Sequence, residues 1–265
     1  MTSSHDRFFI VGCQRSGTTL LRLVLECHSE IQCYDEYMAY RVLYGEESLQ
    51  SDRPLVGFKV PFLTEQLTEW AGSLPDVGSP YAGEKLLFMV RDVRDTIVSM
   101  FRLRMNDDGW FEACGLPPLM RRIRLLESFR ERYAEQLERI EQARNKRAAY
   151  AALYWRYKVD SSAEYVKRGF PLLQICYERM VREPRQELGR ICEFLNVPWE
   201  DALLAHPAAV HGELNDAGLA VGETDPSRAI DEDSVGQWKR LLPAEDLPDI
   251  LDIAGPHQAA LYPES

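Results

Sequence analysis

The 265-residue sequence lacks several features that would assign it to whole classes of protein. No apolar run approaches the roughly 20 residues that a membrane-spanning helix requires. The first apolar segment begins at Phe8 with no signal peptide before it, so we expect a cytoplasmic protein without a membrane partner. The sequence also contains no internal repeats and no low-complexity tract.

Cysteine is present, but it follows no metal-binding or disulfide pattern. The sequence contains no Cys-x-x-Cys pair and no Cys/His spacing, and several cysteines lie inside apolar segments. This pattern argues against a zinc site or a disulfide framework and favours reduced, buried thiols of an intracellular protein. The cysteines occupy positions 13, 27, 33, 114, 176 and 192.

Positive charge is scarce: 31 lysines and arginines stand against 42 aspartates and glutamates, which gives a net charge of −11. Nucleic-acid-binding proteins carry a basic surface, so this balance argues against a nucleic-acid partner. A polyanionic nucleotide needs only a local basic pocket and stays open. The length suits one α/β domain or two small ones. We predict a single domain over residues 1–265, with its core at 8–261.

Apolar runs alternate with helical patterns along the chain. Buried strands are predicted at residues 8–11, 55–60, 85–90 and 171–177. Helical spacing is found at 63–71 and 119–169 and after Pro184, whereas 72–83 and 205–236 are predicted loops. This alternation predicts a three-layer α/β/α fold with a central parallel sheet. Ligands of such sheets bind beyond the carboxyl ends of the strands.

The first strand leads into a loop that is suited to binding an anion. Gly12 and Gly17 enclose the loop, and an apolar helix follows, so that backbone N–H groups and the helix dipole point at one place. The Gly-x4-Gly spacing matches a Walker A loop, but Thr18 and Thr19 stand where ATPases carry Lys-Ser/Thr. The long cation is Arg15 instead. A tight turn without a ligand is the alternative.

The segment Arg15-Ser16-Gly17-Thr18-Thr19-Leu20-Leu21 resembles the 5′-phosphosulfate loop of sulfotransferases that use 3′-phosphoadenosine 5′-phosphosulfate (PAPS). The arginine is typical of the bacterial and tyrosylprotein branch. The resemblance implies a P-loop-like sulfotransferase fold. It also implies that this loop binds the cofactor through Gln14, Arg15, Ser16, Gly17, Thr18 and Thr19.

Three further segments resemble the same family. Arg91 to Ser99 resembles its 3′-phosphate motif, and Tyr177-Glu178-Arg179-Met180-Val181 followed by Pro184 resembles an element beside the cofactor. Residues 226–239 resemble a loop that closes over the nucleotide, and they overlap the end of a predicted lid at 205–236. The resemblance implies cofactor contacts from Arg91, Ser99, Tyr177, Ser227 and Arg228.

Each of these segments also has a structural alternative. Asp92 would cap a helix that carries ordinary surface arginines, and Arg94 would pair with Asp95. Tyr177 would be a half-buried residue at a strand end. The loop would be purely structural, since the acidic run 231–233 stands where tyrosylprotein enzymes place a lysine.

Sulfuryl transfer to a hydroxyl needs a base that takes the hydroxyl proton. It also needs positive charge beside the leaving phosphate, which becomes more negative as it departs. Lys59, in Gly57-Phe58-Lys59-Val60-Pro61-Phe62, resembles the family's Lys-x-Pro-Phe element, whose lysine acts with Arg15 on the leaving phosphate. Glu36 matches the catalytic glutamate of tyrosylprotein enzymes. The alternatives are a surface lysine and a solvated Asp35-Glu36 pair, and a loop histidine such as His211 would be a different base.

The sequence therefore predicts an enzyme that moves the sulfuryl group of PAPS to a phenol or alcohol and releases 3′-phosphoadenosine 5′-phosphate (PAP). Protein cations do the work of Mg²⁺ in this reaction, so we expect no metal. A non-catalytic PAP-binding protein and a P-loop kinase are the competing functions. The acceptor, a small molecule or a peptide hydroxyl, and the oligomeric state are not readable from the sequence; the acceptor depends on residues 37–54, 62–82 and 104–150.

Overall fold

The structure is a computed structural model, which describes residues 6–62, 84–105 and 108–261. The predicted helix at 63–71 and the predicted loop at 72–83 lie outside these residues. The chain divides into two compact units, the first formed by Met1–Val90 and Ser161–Glu232 and the second by Arg91–Asp160 and Asp233–Ser265.

The first unit is built on a five-stranded parallel sheet. Its strands are β1 (Asp6–Gly12), β2 (Ile31–Tyr34), β3 (Leu55–Lys59), β4 (Lys85–Val90) and β5 (Leu172–Cys176), in the spatial order β2-β3-β1-β4-β5. The four predicted strands are all present, and β2 is added to them. Helices flank the sheet, which confirms the predicted three-layer α/β architecture.

Within the described residues, a helix follows each of β1, β2, β4 and β5, in the alternating order that the sequence predicts. In chain order the helices are α1 (Thr18–Glu26), α2 (Glu36–Leu43), α3 (Val93–Arg102), α4 (Leu116–Leu125), α5 (Glu127–Arg132), α6 (Ala134–Gln142), α7 (Lys146–Lys167), α8 (Tyr177–Arg182), α9 (Pro184–Leu195), α10 (Trp238–Leu241), α11 (Leu247–Ala254) and α12 (Pro256–Leu261). A π-helical turn lies at Phe111–Gly115, and 3₁₀ turns lie at Asp201–Ala208 and Ala244–Asp246.

The central strand shows why the sheet is covered on both faces. The four residues Phe8, Phe9, Ile10 and Val11 are all fully buried, although successive side chains of a strand point to opposite faces. A strand buried on both faces reads as a continuous apolar run, as this one does. Helix α1 buries Leu21, Leu23, Val24 and Leu25 in the same unit.

The second unit is mostly helical. Aromatic residues form part of its core: the Tyr154 ring meets the Phe111 ring edge-on at 6.2 Å, and the indole N–H of Trp155 donates to the carbonyl of Arg91 at 2.9 Å. The predicted helical region 119–169 is confirmed, but it is divided where Leu126 and Ala143 adopt extended backbone conformations. Among the described residues, no helix has both the length and the apolar character that crossing a membrane demands.

Candidate active site

The loop after β1 lies at the point where the chain changes direction across the sheet. Strand β1 is central, with β3 on one side and β4 on the other, and ligands of open α/β sheets bind at such a switch point. A Cβ atom on Gly12 would lie 2.2 Å from the carbonyl oxygen of Met89, so only glycine fits where the loop begins. Arg15 adopts a left-handed backbone conformation with φ 71°, which costs about 1–3 kcal/mol and is found mostly at functional sites.

The N-terminus of α1 presents hydrogen-bond donors to this loop. Gly17 is the N-cap, and among the described residues no side chain caps the helix, so its first N–H groups are left to other acceptors. The Ser16 hydroxyl donates to the carbonyl of Cys13 at 2.5 Å, which stabilises the turn. Thr18 and Thr19 are both buried.

Two of the predicted cofactor donors contact the predicted lid loop. The Nη1 atom of Arg15 donates to the carbonyl of Gly222 at 3.1 Å, and the Thr19 hydroxyl donates to the carbonyl of Val221 at 3.2 Å. These carbonyls belong to a tight turn closed by a bridge between Ala220 and Thr224. The structure therefore joins the first loop to the segment 220–224.

Tyr177 lies against the same loop. Its side chain is buried, and a Cβ atom on Gly17 would lie 2.5 Å from the Cδ2 atom of the tyrosine ring. The sequence places Tyr177 at the end of a strand, whereas the structure begins helix α8 with it. A contact between Tyr177 and the cofactor stays a prediction.

Lys59 and the Asp35-Glu36 pair meet at the carboxyl ends of β2 and β3. The parallel register pairs Tyr34 with Phe58, so the residues that follow them, Asp35 and Lys59, lie side by side. The Nζ atom of Lys59 is 2.8 Å from Oδ1 of Asp35 and 2.8 Å from Oε1 of Glu36. The side chains of Lys59 and Asp35 are 1% and 0% exposed, and that of Glu36 is 20% exposed. Neither a surface lysine nor a solvated acidic pair describes this arrangement.

Two residues that the sequence analysis did not single out complete this cluster. The N–H of Asp35 donates to Oε1 of Glu213 at 3.0 Å, and the buried Arg22 lies 3.6 Å from the same oxygen. Burial raises the pKa of the Glu213 carboxyl, although the N–H of Asp35 and the charge of Arg22 oppose the rise. Arg22 also donates to the carbonyl of Gly212 at 3.1 Å, so α1 and residues 212–213 are held together.

His211 has structural partners. Its Nε2 atom lies 2.8 Å from the carbonyl oxygen of His206, and its Nδ1 atom lies 3.3 Å from Oε2 of Glu26. The side chain is 2% exposed. This environment favours Glu36 over His211 as the base.

In the second unit, the residues that follow β4 are buried. Asp92 caps α3 by accepting the N–H of Arg94 at 2.8 Å, as the structural alternative predicts. The arginines are not on the surface, because Arg91 and Arg94 are 6% and 3% exposed. Arg91 donates to the carbonyl of Ser234.

The pairing of Arg94 with Asp95, offered as a structural alternative, is wrong. Arg94 binds both carboxylate oxygens of Asp92 and lies 3.9 Å above the ring of Trp238. Asp95 accepts the N–H groups of Gly236 at 2.6 Å and Trp238 at 3.0 Å, and burial raises the pKa of its carboxyl. The carboxylate thus fixes the backbone of 236–238. Ser99 lies within α3 and is half-buried.

Ser227 and Arg228 lie in a turn stabilised by nearby acidic residues. The Ser227 hydroxyl donates to Asp225 at 2.6 Å, and Arg228 makes two hydrogen bonds to Asp231, at 2.9 and 2.7 Å. The first residue of the acidic run 231–233 thus balances the charge of Arg228. Whether these residues contact a cofactor stays a prediction.

Comparison with known proteins finds sulfotransferases among both related sequences and solved structures. A family model described as "Sulfotransferase domain" matches residues 83–246, and one described as "Sulfotransferase family" matches residues 7–60. The protein-tyrosine sulfotransferase of Drosophila melanogaster is 23% identical over 280 residues, which cover 93% of this chain and 49% of that relative. The chain therefore spans about half the length of that relative.

Solved structures share the fold. The sulfotransferase domain from the curacin biosynthetic pathway is 20% identical with a TM-score of 0.56, covering 94% of this chain and 97% of that one. A mouse sulfotransferase in complex with PAP is 16% identical with a TM-score of 0.51, covering 98% of this chain and 86% of that one. At these identities the likeness shows a common fold.

Proposed function

We propose a specific reaction for this chain, which belongs to the sulfotransferase family: transfer of the sulfuryl group of PAPS to a hydroxyl acceptor, with release of PAP. The observation that carries the proposal is the buried ammonium of Lys59, held 2.8 Å from the carboxylate of Glu36. It places a cation and a candidate base in contact at one end of the parallel sheet. The donor-rich loop after β1 lies in the same unit.

The loop is suited to the 5′-phosphosulfate by the chemistry of its donors. The uncapped N-terminus of α1, the hydroxyls of Thr18 and Thr19 and the guanidinium of Arg15 are all groups that bind anions. PAPS, when bound, supplies an activated sulfuryl group on a phosphate leaving group. The chain's own residues must hold that leaving group and take the proton of the acceptor.

Roles can be assigned within the first unit. Arg15 and Lys59 would neutralise charge that develops on the leaving phosphate. Glu36, the more exposed of the two carboxylates beside Lys59, would accept the proton of the hydroxyl. Tyr177, packed on Gly17, would border the cofactor.

The remaining assignments rest on the family resemblance. In the second unit, Arg91 and Ser99 are the proposed ligands of the 3′-phosphate. In the first, Ser227 and Arg228 are proposed to act from the lid loop. Transfer is proposed to proceed without a metal, because Arg15 and Lys59 carry the positive charge that Mg²⁺ supplies in phosphoryl transfer.

The acceptor is proposed to be a phenolic hydroxyl of a small molecule or a peptide. This proposal is supported by the match of Glu36 to the tyrosylprotein glutamate and by the relatives named protein-tyrosine sulfotransferases. A carbohydrate or lipid alcohol is the second candidate. Residues 63–83, which bear on acceptor choice, lie outside the part of the chain that the structure describes.

Calorimetric titration with PAP, AMP and ATP·Mg²⁺ tests the cofactor class. We expect PAP to bind with a dissociation constant of about 1 μM or tighter, about −8 kcal/mol, and AMP far more weakly because it lacks the 3′-phosphate. Binding of PAP should not change when EDTA is added. Stronger binding of ATP·Mg²⁺ than of PAP would contradict the proposal and favour a kinase, although position 18 is threonine where a Walker A loop carries lysine.

A further inference from the structure

One oxygen of Asp35 contacts both residues that are proposed to act in the reaction, Lys59 and Glu36. Its Oδ1 atom accepts the backbone N–H of Glu36 at 2.6 Å and the ammonium of Lys59 at 2.8 Å. Asp35 is fully buried, so it cannot itself contact an acceptor. We infer that Asp35 is a positioning residue, whose charge keeps Lys59 paired and oriented while Glu36 takes up the proton of the acceptor.

Asp35 affects the charge balance during the reaction. Before transfer, the Lys59 ammonium has two carboxylate partners, Asp35 and Glu36. When Glu36 accepts the proton it becomes neutral, and the buried ammonium loses one of these partners, which destabilises a buried cation. Asp35 is the carboxylate partner that stays beside the ammonium. The proposal deepens the proposed function and rests on it for the role of Glu36.

Asp35 also orients the ammonium of Lys59. An ammonium group has three N–H donors. One of them donates to Oδ1 of Asp35 at 2.8 Å, while Oε1 of Glu36 lies at the same distance as an ion-pair partner. The hydrogen bond to Asp35 therefore sets the orientation of the ammonium at the end of β3. The contact between the N–H of Asp35 and Glu213 in turn holds the aspartate in position.

Asp35 does more than cap a helix. Asp35 is the N-cap of α2, but asparagine and serine cap helices about as well and carry no charge. The second oxygen, Oδ2, is buried with no hydrogen-bond partner among the described residues. A buried carboxylate with an unsatisfied oxygen is a costly way to cap a helix. The cap alone does not account for the charge, whereas Lys59 does.

The test is Asp35→Asn, which keeps the cap and the shape of the side chain but removes the charge. Three quantities are measured: kcat and KM for sulfuryl transfer from PAPS, the affinity for PAP, and the ¹⁵N signal of the Lys59 ammonium, assigned by its loss in Lys59→Arg. Asp201→Asn, whose side chain is 78% exposed and pairs with Arg185, is the control for a neutralised aspartate.

We expect Asp35→Asn to bind PAP within about twofold of the wild type and to lose kcat by about tenfold to a hundredfold, with little change in KM. Its Lys59 ammonium signal should shift and exchange faster with water. A Lys59 ammonium signal in Asp35→Asn identical to that of the wild type would overturn the inference. An unchanged kcat would overturn it as well, and so would a fall in PAP affinity as large as the fall in kcat.

The two proposals fail in different ways. If the wild-type protein binds PAP but transfers no sulfuryl group from PAPS to any hydroxyl, the proposed function fails. The ammonium signal then still decides whether Asp35 holds Lys59, because it needs no substrate. If Asp35→Asn does not fold, Asp35→Glu, which restores the charge at a longer reach, should recover the ammonium signal in part, and its failure to do so would count against the inference.

Discussion

The Nζ atom of Lys59 lies 2.8 Å from Oε1 of Glu36, at the adjacent ends of two parallel strands. The cation proposed for the leaving group and the base proposed for the acceptor are therefore in contact before any substrate is present. Because each stabilises the charge of the other, removing either one changes both.

Glu36→Gln should remove turnover and leave cofactor binding intact. Glutamine keeps the size of the side chain but cannot accept the proton, and loss of a general base lowers kcat by about 10²- to 10⁴-fold. Initial rates with PAPS and titration with PAP measure the two properties. The control is Glu46→Gln, whose side chain is 64% exposed beside Arg41. Equal rates for the two variants would contradict the role of Glu36, and so would weak PAP binding by Glu36→Gln alone.

Lys59→Met should destabilise the protein. The side chain is 1% exposed, and its removal leaves the buried Asp35 carboxylate without a cation. Breaking one side of a buried ion pair costs about 3–5 kcal/mol. Urea unfolding measures the free energy, with Lys167→Met as the control because Lys167 is 70% exposed and should change stability by no more than about 0.5 kcal/mol. A similar small effect in both variants would show that the Lys59 pair does not stabilise the fold.

Gly222→Ala should weaken PAP binding through Arg15. A Cβ atom at position 222 would lie 2.1 Å from Nη1 of Arg15 and would displace the guanidinium. Gly218→Ala is a matched control, since φ is +74° at 218 and +76° at 222, but no described atom lies within 4 Å of a Cβ at 218. Both variants therefore carry the same backbone strain of about 1–2 kcal/mol.

Titration with PAP distinguishes these two glycine variants. We expect affinity to fall by about tenfold in Gly222→Ala, equivalent to about 1.4 kcal/mol, and to be unchanged in Gly218→Ala. Equal losses in the two variants would mean that strain in the loop, and not the displaced Arg15, controls binding.

Glu213→Gln should change how stability depends on pH. Burial raises the pKa of Glu213 above its value in the unfolded chain, so the native state holds more protons between the two values. The contribution of Glu213 to wild-type stability therefore falls as pH rises from about 4.3, and this loss is absent in the variant. Unfolding in urea at several pH values between 4.5 and 8 should show the variant gaining on the wild type as pH rises.

Glu223→Gln is the control for this pH series. Glu223 has φ 58°, close to the 56° of Glu213, but its side chain is exposed. Its stability curve should run parallel to that of the wild type. A parallel curve for Glu213→Gln as well would show that the buried carboxyl does not contribute to the pH dependence.

Much of the first unit could be predicted from local pattern. Continuous apolar runs identify β1, β3 and β4, because strands buried on both faces contain few polar residues. Strand β5 also carries an apolar run, although it lies at the edge of the sheet and only Ile175 in it is buried. Strand β2 has only four residues, Ile31–Tyr34, too few for a periodic signal. The donor-rich loop after β1 could also be predicted, because its residues are consecutive in sequence.

The Lys59 cluster could be predicted only in part. The family resemblance points to Lys59 and Glu36 one at a time, but their contact depends on the register of β2 against β3, which no local pattern contains. Glu213 is 178 residues from Asp35 in sequence and reaches it only through the fold. The incorrect pairing of Arg94 with Asp95 has a similar cause, because the partners of Asp95 are backbone groups 141 and 143 residues away.

Opening of the sheet edge can be followed through the buried thiol of Cys33. Burial raises the pKa of Cys33, on the edge strand β2, far above its usual range, whereas Cys27, just after α1, is only half-buried and has its pKa raised to about 11. Because the thiolate is the form that reacts with alkylating reagents, the Cys33 thiol should be almost inert at neutral pH while the structure is closed. The labelling rate of Cys33 would then report how often the edge of the sheet separates, and a ligand that holds Asp35 and Lys59 in place should slow it.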